Sequence, residues 1–193
     1  GQVITRNISM LVSEPQNVSI TNIDKNLPTV AISVTKSTAG TEVSSNTWSE
    51  QTLNFKFTSG NVGISGATIY YCKDTNNTCN PTTAIANNTS LTAYNTVEGV
   101  YYIRYKIISG AGTVSDTLSY TAKVDLTPAS ITSVTGNPTN WVNTDVTLTV
   151  NGATDGGAGL HANAYSFDNG ATWQAGNTKT YSSNVNNVII KVR

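Results

Sequence analysis

Val124-Asp125-Leu126-Thr127-Pro128-Ala129-Ser130-Ile131 has a counterpart earlier in the chain, Ile23-Asp24-Lys25-Asn26-Leu27-Pro28-Thr29-Val30. Each copy runs from an apolar residue through Asp and two or three further residues to Pro, and then into β-branched side chains. An Asp starts a turn by accepting hydrogen bonds from the backbone just ahead of it, and a Pro fixes φ while withholding a ladder donor. One sheet ends and another begins at such a place. The copies lie roughly a hundred residues apart, the size of one β-sandwich module, so Asp24, Pro28, Asp125 and Pro128 mark joints between repeated domains.

Between the joints the apolar pattern has a period of two. Leu53, Phe55 and Phe57 fall on one side and Thr52, Asn54, Lys56 and Thr58 on the other, as only a half-buried strand requires. Alternation returns at 30–34, 67–72, 100–107 and 117–124, with Gly, Asn and Ser turns between and no helical stripe, for a total of about seven short strands. The second module repeats the scheme. Asn140-Trp141 matches Thr47-Trp48, Val146, Leu148 and Val150 match Leu53, Phe55 and Phe57, and Tyr165-Ser166-Phe167 matches Tyr70-Tyr71-Cys72 before a last run at 185–192. The expected division is residues 23–124 and residues 125–193, with residues 1–22 as the last strand of a preceding module or an N-terminal arm. The second module has no counterpart of 118–124, so it is expected to lack its last strand or to receive one from elsewhere. Residues 1–10 or so are expected to complete the second module of a neighbouring molecule.

Composition agrees with a sheet protein. Of 193 residues, 38% are hydrophobic and only 11% charged, with fifteen Gly and five Pro, so packing of β-branched and aromatic side chains carries the fold. Eleven acidic and eleven basic residues balance to a net charge of zero, which argues against a nucleic-acid partner, since that needs a basic face. No stretch is apolar for long enough to suggest membrane insertion, and no signal peptide opens the chain.

Both modules resemble the bacterial immunoglobulin-like repeats of Gram-positive secreted and wall-attached surface proteins. The resemblance rests on Asp125-Leu126-Thr127-Pro128, on Val150-Asn151-Gly152-Ala153-Thr154-Asp155-Gly156-Gly157-Ala158-Gly159-Leu160, on the stretch 164–173 and on the stretch 69–79. It implies an all-β chain of tandem immunoglobulin-like or fibronectin-III-like β-sandwiches, extracellular, at the bacterial surface or secreted. The implied role is non-catalytic: a stalk, spacer or adhesion segment without cofactors, whose partners are neighbouring modules of the same chain and a glycan or host surface protein. The alternatives are a carbohydrate- or host-protein-binding module, or an accessory domain of a secreted glycoside hydrolase.

Two constellations invite a chemical reading. Cys72 and Cys79 flank a polar loop where the second module has Phe167 and Trp173, so a disulfide across a hairpin is expected. Two free thiols or half a zinc site are the competing readings, the latter short of ligands in a chain with a single His. Ser166-Phe167-Asp168-Asn169-Gly170-Ala171-Thr172-Trp173 matches the Asp-box pattern Ser-x-Asp-x-Gly-x-Thr-Trp known from sialidases and many other secreted β proteins. Asp168 is expected to take turn N–H groups, Gly170 a left-handed conformation, and Trp173 a place beneath the hairpin. Such chemistry explains a rigid turn and not hydrolysis.

The remaining candidates read mainly as structural. Asp155 is expected to cap a Gly-rich turn, against a calcium site shared with Asp125 or Asp168. His161 has no nucleophile beside it, and Glu42, Glu50, Glu98 and Asp116 form no catalytic pair. A Lys-Asn crosslink needs a core lysine; Lys56 and Lys106 read as outward, while Lys36, Lys123 and Lys191 are open. Tyr70, Tyr71, Tyr101, Tyr102 and Tyr105 form either a cross-strand ladder or, if Tyr71 and Tyr101 or Tyr102 share an exposed face, a sugar platform.

Overall fold

A computed structural model describes residues 1, 13–95 and 98–193, and among them thirteen strands form and no helix. The first eight are β1 (Thr29–Lys36), β2 (Trp48–Ser49), β3 (Leu53–Gly60), β4 (Ala67–Asp74), β5 (Thr83–Ile85), β6 (Ser90–Asn95), β7 (Gly99–Ser109) and β8 (Leu118–Val124). They make a three-stranded sheet in the order β1-β3-β6 and a five-stranded sheet in the order β2-β8-β7-β4-β5. All pairings are antiparallel except that of β2 with β8.

The period of two decides which side chains meet. Leu53, Phe55 and Phe57 of β3 are fully buried against Ile103, Tyr105 and Ile107 of β7 and Tyr120, Ala122 and Val124 of β8. Each large apolar side chain so removed from water contributes about 1.5–3 kcal/mol. The Phe55 and Tyr120 rings meet edge to face at 6.0 Å, and the Tyr120 hydroxyl donates to the Val43 carbonyl at 2.6 Å. Burial pushes that phenol up to about 12.

Beyond Asp125 the strands are β9 (Ser133–Thr135), β10 (Val146–Asn151), β11 (Tyr165–Ser166), β12 (Thr178–Tyr181) and β13 (Lys191–Val192). They form a sheet in the order β12-β10-β9 and a separate pair, β11-β13. Leu148, Val150 and Phe167 make a second core, with Val188, Ile190 and Val192 packed against it, and no residue belongs to both cores.

The second half departs from its expected match to the first in three ways. The strand expected over 185–192 shortens to Lys191–Val192, because a strand needs a ladder partner. Its counterpart β7 pairs with β8 from Gly99↔Val124 to Tyr105↔Leu118, and among the described residues nothing fills that place beside β13. Trp48 lies half-buried with the Lys123 ammonium 5.6 Å from its ring, whereas Trp141 is 88% exposed. Pro28 is fully buried and leads straight into β1, while Pro128 is exposed and five residues short of β9. The strand anticipated over residues 1–10 lies outside the described residues, apart from Gly1.

Candidate functional site: joints and pinned hairpins

Both joint aspartates reach forward to a loop between two strands, Asp24 to the β3–β4 loop and Asp125 to the β10–β11 loop. Asp24 accepts from the Ser65 N–H at 2.9 Å, the Ser65 hydroxyl at 2.5 Å and the Asn26 N–H at 3.0 Å. These bonds, the Ser65 hydroxyl foremost, hold its carboxyl below the usual range. Asp125, itself buried, accepts from the Ala158 N–H and the Thr127 N–H in the loop between β10 and β11 and in its own turn. Each loop carries a glycine where the carboxylate lands. A Cβ on Gly63 would come within 2.3 Å of Asp24 Oδ2, and one on Gly157 within 2.4 Å of Asp125 Oδ2. Only a residue without a side chain allows that approach.

Asp125 is also held from behind. Its N–H donates to the Ser49 carbonyl at 2.9 Å, and the next N–H, of Leu126, donates to Glu98 Oε1 at 2.7 Å. One residue is therefore fastened to β2 on one side and to the β10–β11 loop on the other. Glu98, which reads in the sequence as a carboxylate without a role, closes this joint.

The Asp-box stretch folds as a tight turn after β11. Ser166 Oγ donates to Asp168 Oδ1 at 2.8 Å and accepts from the Gly170 N–H at 2.7 Å; Thr172 gives Asp168 both its N–H, at 2.9 Å, and its hydroxyl. Asn169 and Gly170 both take positive φ, 61° and 92°. Trp173 is half-buried with the Arg193 guanidinium 4.3 Å above its ring. The Thr172 hydroxyl, then the Thr172 N–H and the Ser166 hydroxyl, bring Asp168 down to about 2. A carboxyl lowered on folding stabilises above its unfolded value near 3.8, and the contribution is lost as pH falls through the folded value near 2. Titration from about pH 5 to about pH 1, followed by Asp168 carboxyl NMR and Trp173 emission, should show the turn loosening with a midpoint near 2. A midpoint at the ordinary carboxylate value would contradict the geometry.

The first half contains a related carboxylate-pinned loop, with its left-handed residue at Asn77 (φ 59°) and not at the counterparts of Asn169 and Gly170. After β4, Asp74 accepts from the N–H groups of Asn77 at 2.9 Å, Thr78 at 2.8 Å and Cys79 at 2.8 Å, and from the Thr78 hydroxyl at 3.0 Å. Asp74 to Thr78 is the spacing of Asp168 to Thr172, so Cys72 corresponds to Ser166 and not to Phe167, and Cys79 to Trp173. Cys72 and Cys79 are joined, with Cα atoms 6.2 Å apart. The bond is not the cross-strand pair expected from sequence: the β4–β5 ladder reaches only Tyr71↔Thr83, so Cys79 lies in the loop. With a sequence separation of 7, the loop closed is short, and Cys72→Ser with Cys79→Ser should lower stability by about 2.5 kcal/mol in denaturant melts. A loss below about 1 kcal/mol would show that Asp74 alone holds the loop.

The tyrosines divide by face. Tyr71 stands opposite Tyr105, and both rings lie on Phe57 at centroid distances of 5.7 and 5.5 Å, while Tyr101 packs on the same core. Tyr70 and Tyr102 point the other way but pair with Lys106 and Asp74, so they are not neighbours. Tyr71 and Tyr101, the pair a sugar platform would use, are both half-buried against this core. Lys36 pairs with Glu50 at 2.8 Å, Lys123 covers Trp48, Lys106 donates to Asn80 on the surface, and Lys56 and Lys191 are exposed. Among the described residues no lysine is buried, so none has the setting a crosslink requires.

Asp155 accepts from the Gly157 N–H at 3.0 Å within its loop, and His161 Nδ1 accepts from the Asn163 N–H at 3.0 Å. Glu42 accepts from Ser33 at 3.3 Å. No cluster of three metal-ligating side chains occurs among the described residues. No protein family, curated protein or solved structure was found to match the chain.

Proposed function

We propose that the chain is a non-catalytic extracellular spacer, two tandem immunoglobulin-like sandwich units of a bacterial surface protein. The observation that carries this reading is the fastening of Asp125, whose N–H and carboxylate engage opposite sides of the joint. Such a linkage restrains bending, so successive units project whatever lies beyond them away from the surface. The polar side chains of the two hairpins are spent on holding turns, and the disulfide suits an oxidising compartment. Small-angle scattering of the dilute full chain should give one stiff, elongated particle. A broad ensemble of inter-unit angles, or hydrolysis of any glycan by the purified chain, would end the proposal.

A further inference from the structure

Among the described residues, four strands stand at the edges of the two sheets before Asp125: β1 and β6 in one, β2 and β5 in the other. A free edge offers unpaired N–H and C=O groups to any extended chain, and short strands, bulges and charges are the usual guards. β2 and β5 are two and three residues long, and β6 meets β3 through a register shift between Leu53 and Phe55. β1 runs for eight residues, with neither Gly nor Pro and no charge before Lys36.

The chain that follows β1 covers only half of this edge. The Val43 N–H donates to the Val34 carbonyl at 2.8 Å and the Lys36 N–H to the Thr41 carbonyl at 2.9 Å, so residues 41–43 run as an antiparallel arm beside residues 34–36. After Val43 the arm crosses to the other sheet, where the Asn46 N–H donates to the Thr121 carbonyl at 2.8 Å and Ser45 Oγ accepts from the Thr121 N–H at 2.9 Å. The lane beside residues 29–33 is left without a strand among the described residues. The N–H and C=O of one residue turn to the same side of an antiparallel strand, so Ile32 points both of its own into this lane, as Val34 does toward the arm.

Two features at the head of the lane select what enters it. Where the arm departs, a cavity of about 360 Å³ opens over Val34, Val43 and Tyr120, all buried, and the half-buried Ile32. On the outer face the exposed Glu42 accepts from the Ser33 hydroxyl at 3.3 Å. Lys56 stands across from Ser33 on β3, and among the described residues no cation pairs with Glu42. Neighbouring residues of a strand point to opposite faces. An aliphatic side chain on the core side, preceded by a basic one on the outer side, therefore matches the cavity and the carboxylate together.

We propose that this edge takes an extended peptide from another protein as an added antiparallel strand, with an aliphatic side chain opposite Ile32 in the cavity and the preceding residue, a Lys or Arg, opposite Ser33 and beside Glu42. The Ile32 N–H and C=O then gain partners, and its side chain is covered. The contact gives the proposed spacer a binding edge, and it needs neither the second half of the chain nor a fixed angle at the joint.

NMR titration of the labelled full chain with the peptide acetyl-Gly-Lys-Leu-Thr-Val-Thr-amide tests this. Amide shifts should centre on Ile32, Ser33 and Val43 and leave Leu148 and Val150 unmoved. N-methylation of the peptide's Leu removes the N–H that meets the Ile32 carbonyl and should abolish binding. Replacing the peptide's Lys by Glu should weaken binding about fivefold, the scale of an exposed ion pair. Glu42→Lys, at an exposed position, should invert that preference. No shifts at β1, binding that tolerates the N-methyl group, or the same preference in both proteins would overturn the proposal. Shifts at Ile32 that grow with protein concentration in the absence of peptide would assign the edge to a second copy and overturn it equally.

Discussion

Phe55→Ala should strongly destabilise the half of the molecule before Asp125 and leave the stability of the other half unchanged. Phe55 is fully buried, and its ring is the surface on which Tyr120 packs edge to face. Truncation removes the ring and leaves a cavity that rigid sheets on either side cannot collapse to fill, a loss of about 3–5 kcal/mol. A domain of this size commands only about 5–15 kcal/mol in total. The two cores share no residue, so the loss should stay local. Hydrogen exchange reads this directly: amides of Ile103 and Ile107 should lose protection while those of Leu148 and Val150 keep theirs. Loss of protection at all four together would mean one cooperative body and would sink the division at residue 125.

The alternation of Leu53, Phe55 and Phe57 is legible in the sequence because a pleated strand has a side-chain period of two, a local rule that needs no partner. The joints are legible for a similar reason, since Asp and Pro act on the backbone beside them. Their partners are not. Asp24 reaches 41 residues forward to Ser65 and Asp125 33 residues forward to Ala158, and Gly63 and Gly157 read as ordinary turn glycines until the carboxylates are seen to land there. Glu98 is silent for the same reason: its acceptor role exists only once β7 brings it beside Leu126.

Asp74 was hidden differently. The pinned turn after β11 announces itself through Ser166, Gly170 and Trp173, and its twin after β4 replaces them with Cys72, Asn76 and Cys79. Only the carboxylate and the threonine survive, and two residues four apart are too common in a Thr-rich chain to draw notice. The cysteines announce the Cys72–Cys79 bridge that forms, but their place in the second half is hidden, since Cys72 corresponds to Ser166 and not to its neighbour Phe167. Trp141 matched Trp48 in sequence and differs in exposure because a tryptophan's burial depends on a strand seventy-odd residues away, and its own strand does not supply that cover.

Asp125→Ala should uncouple the two halves at the joint, with a loss of about 2–3 kcal/mol for its charge-assisted bonds. The Ala158 N–H loses its acceptor, and so does the Thr127 N–H, while the Asp125 N–H can still reach Ser49. The turn thus stays attached to β2 but no longer grips the β10–β11 loop. Hydrogen exchange at Ala158 should rise, and scattering should broaden from one inter-unit angle to many. Asp125→Asn, which keeps one carbonyl acceptor, should recover part of the protection. Gly157→Val should reproduce the alanine effect from the opposite side, since a side chain there occupies the place of the carboxylate itself. If both changes left exchange and scattering untouched, the halves would be held by something other than this residue, and a stalk stiffened at its joints would lose its physical basis.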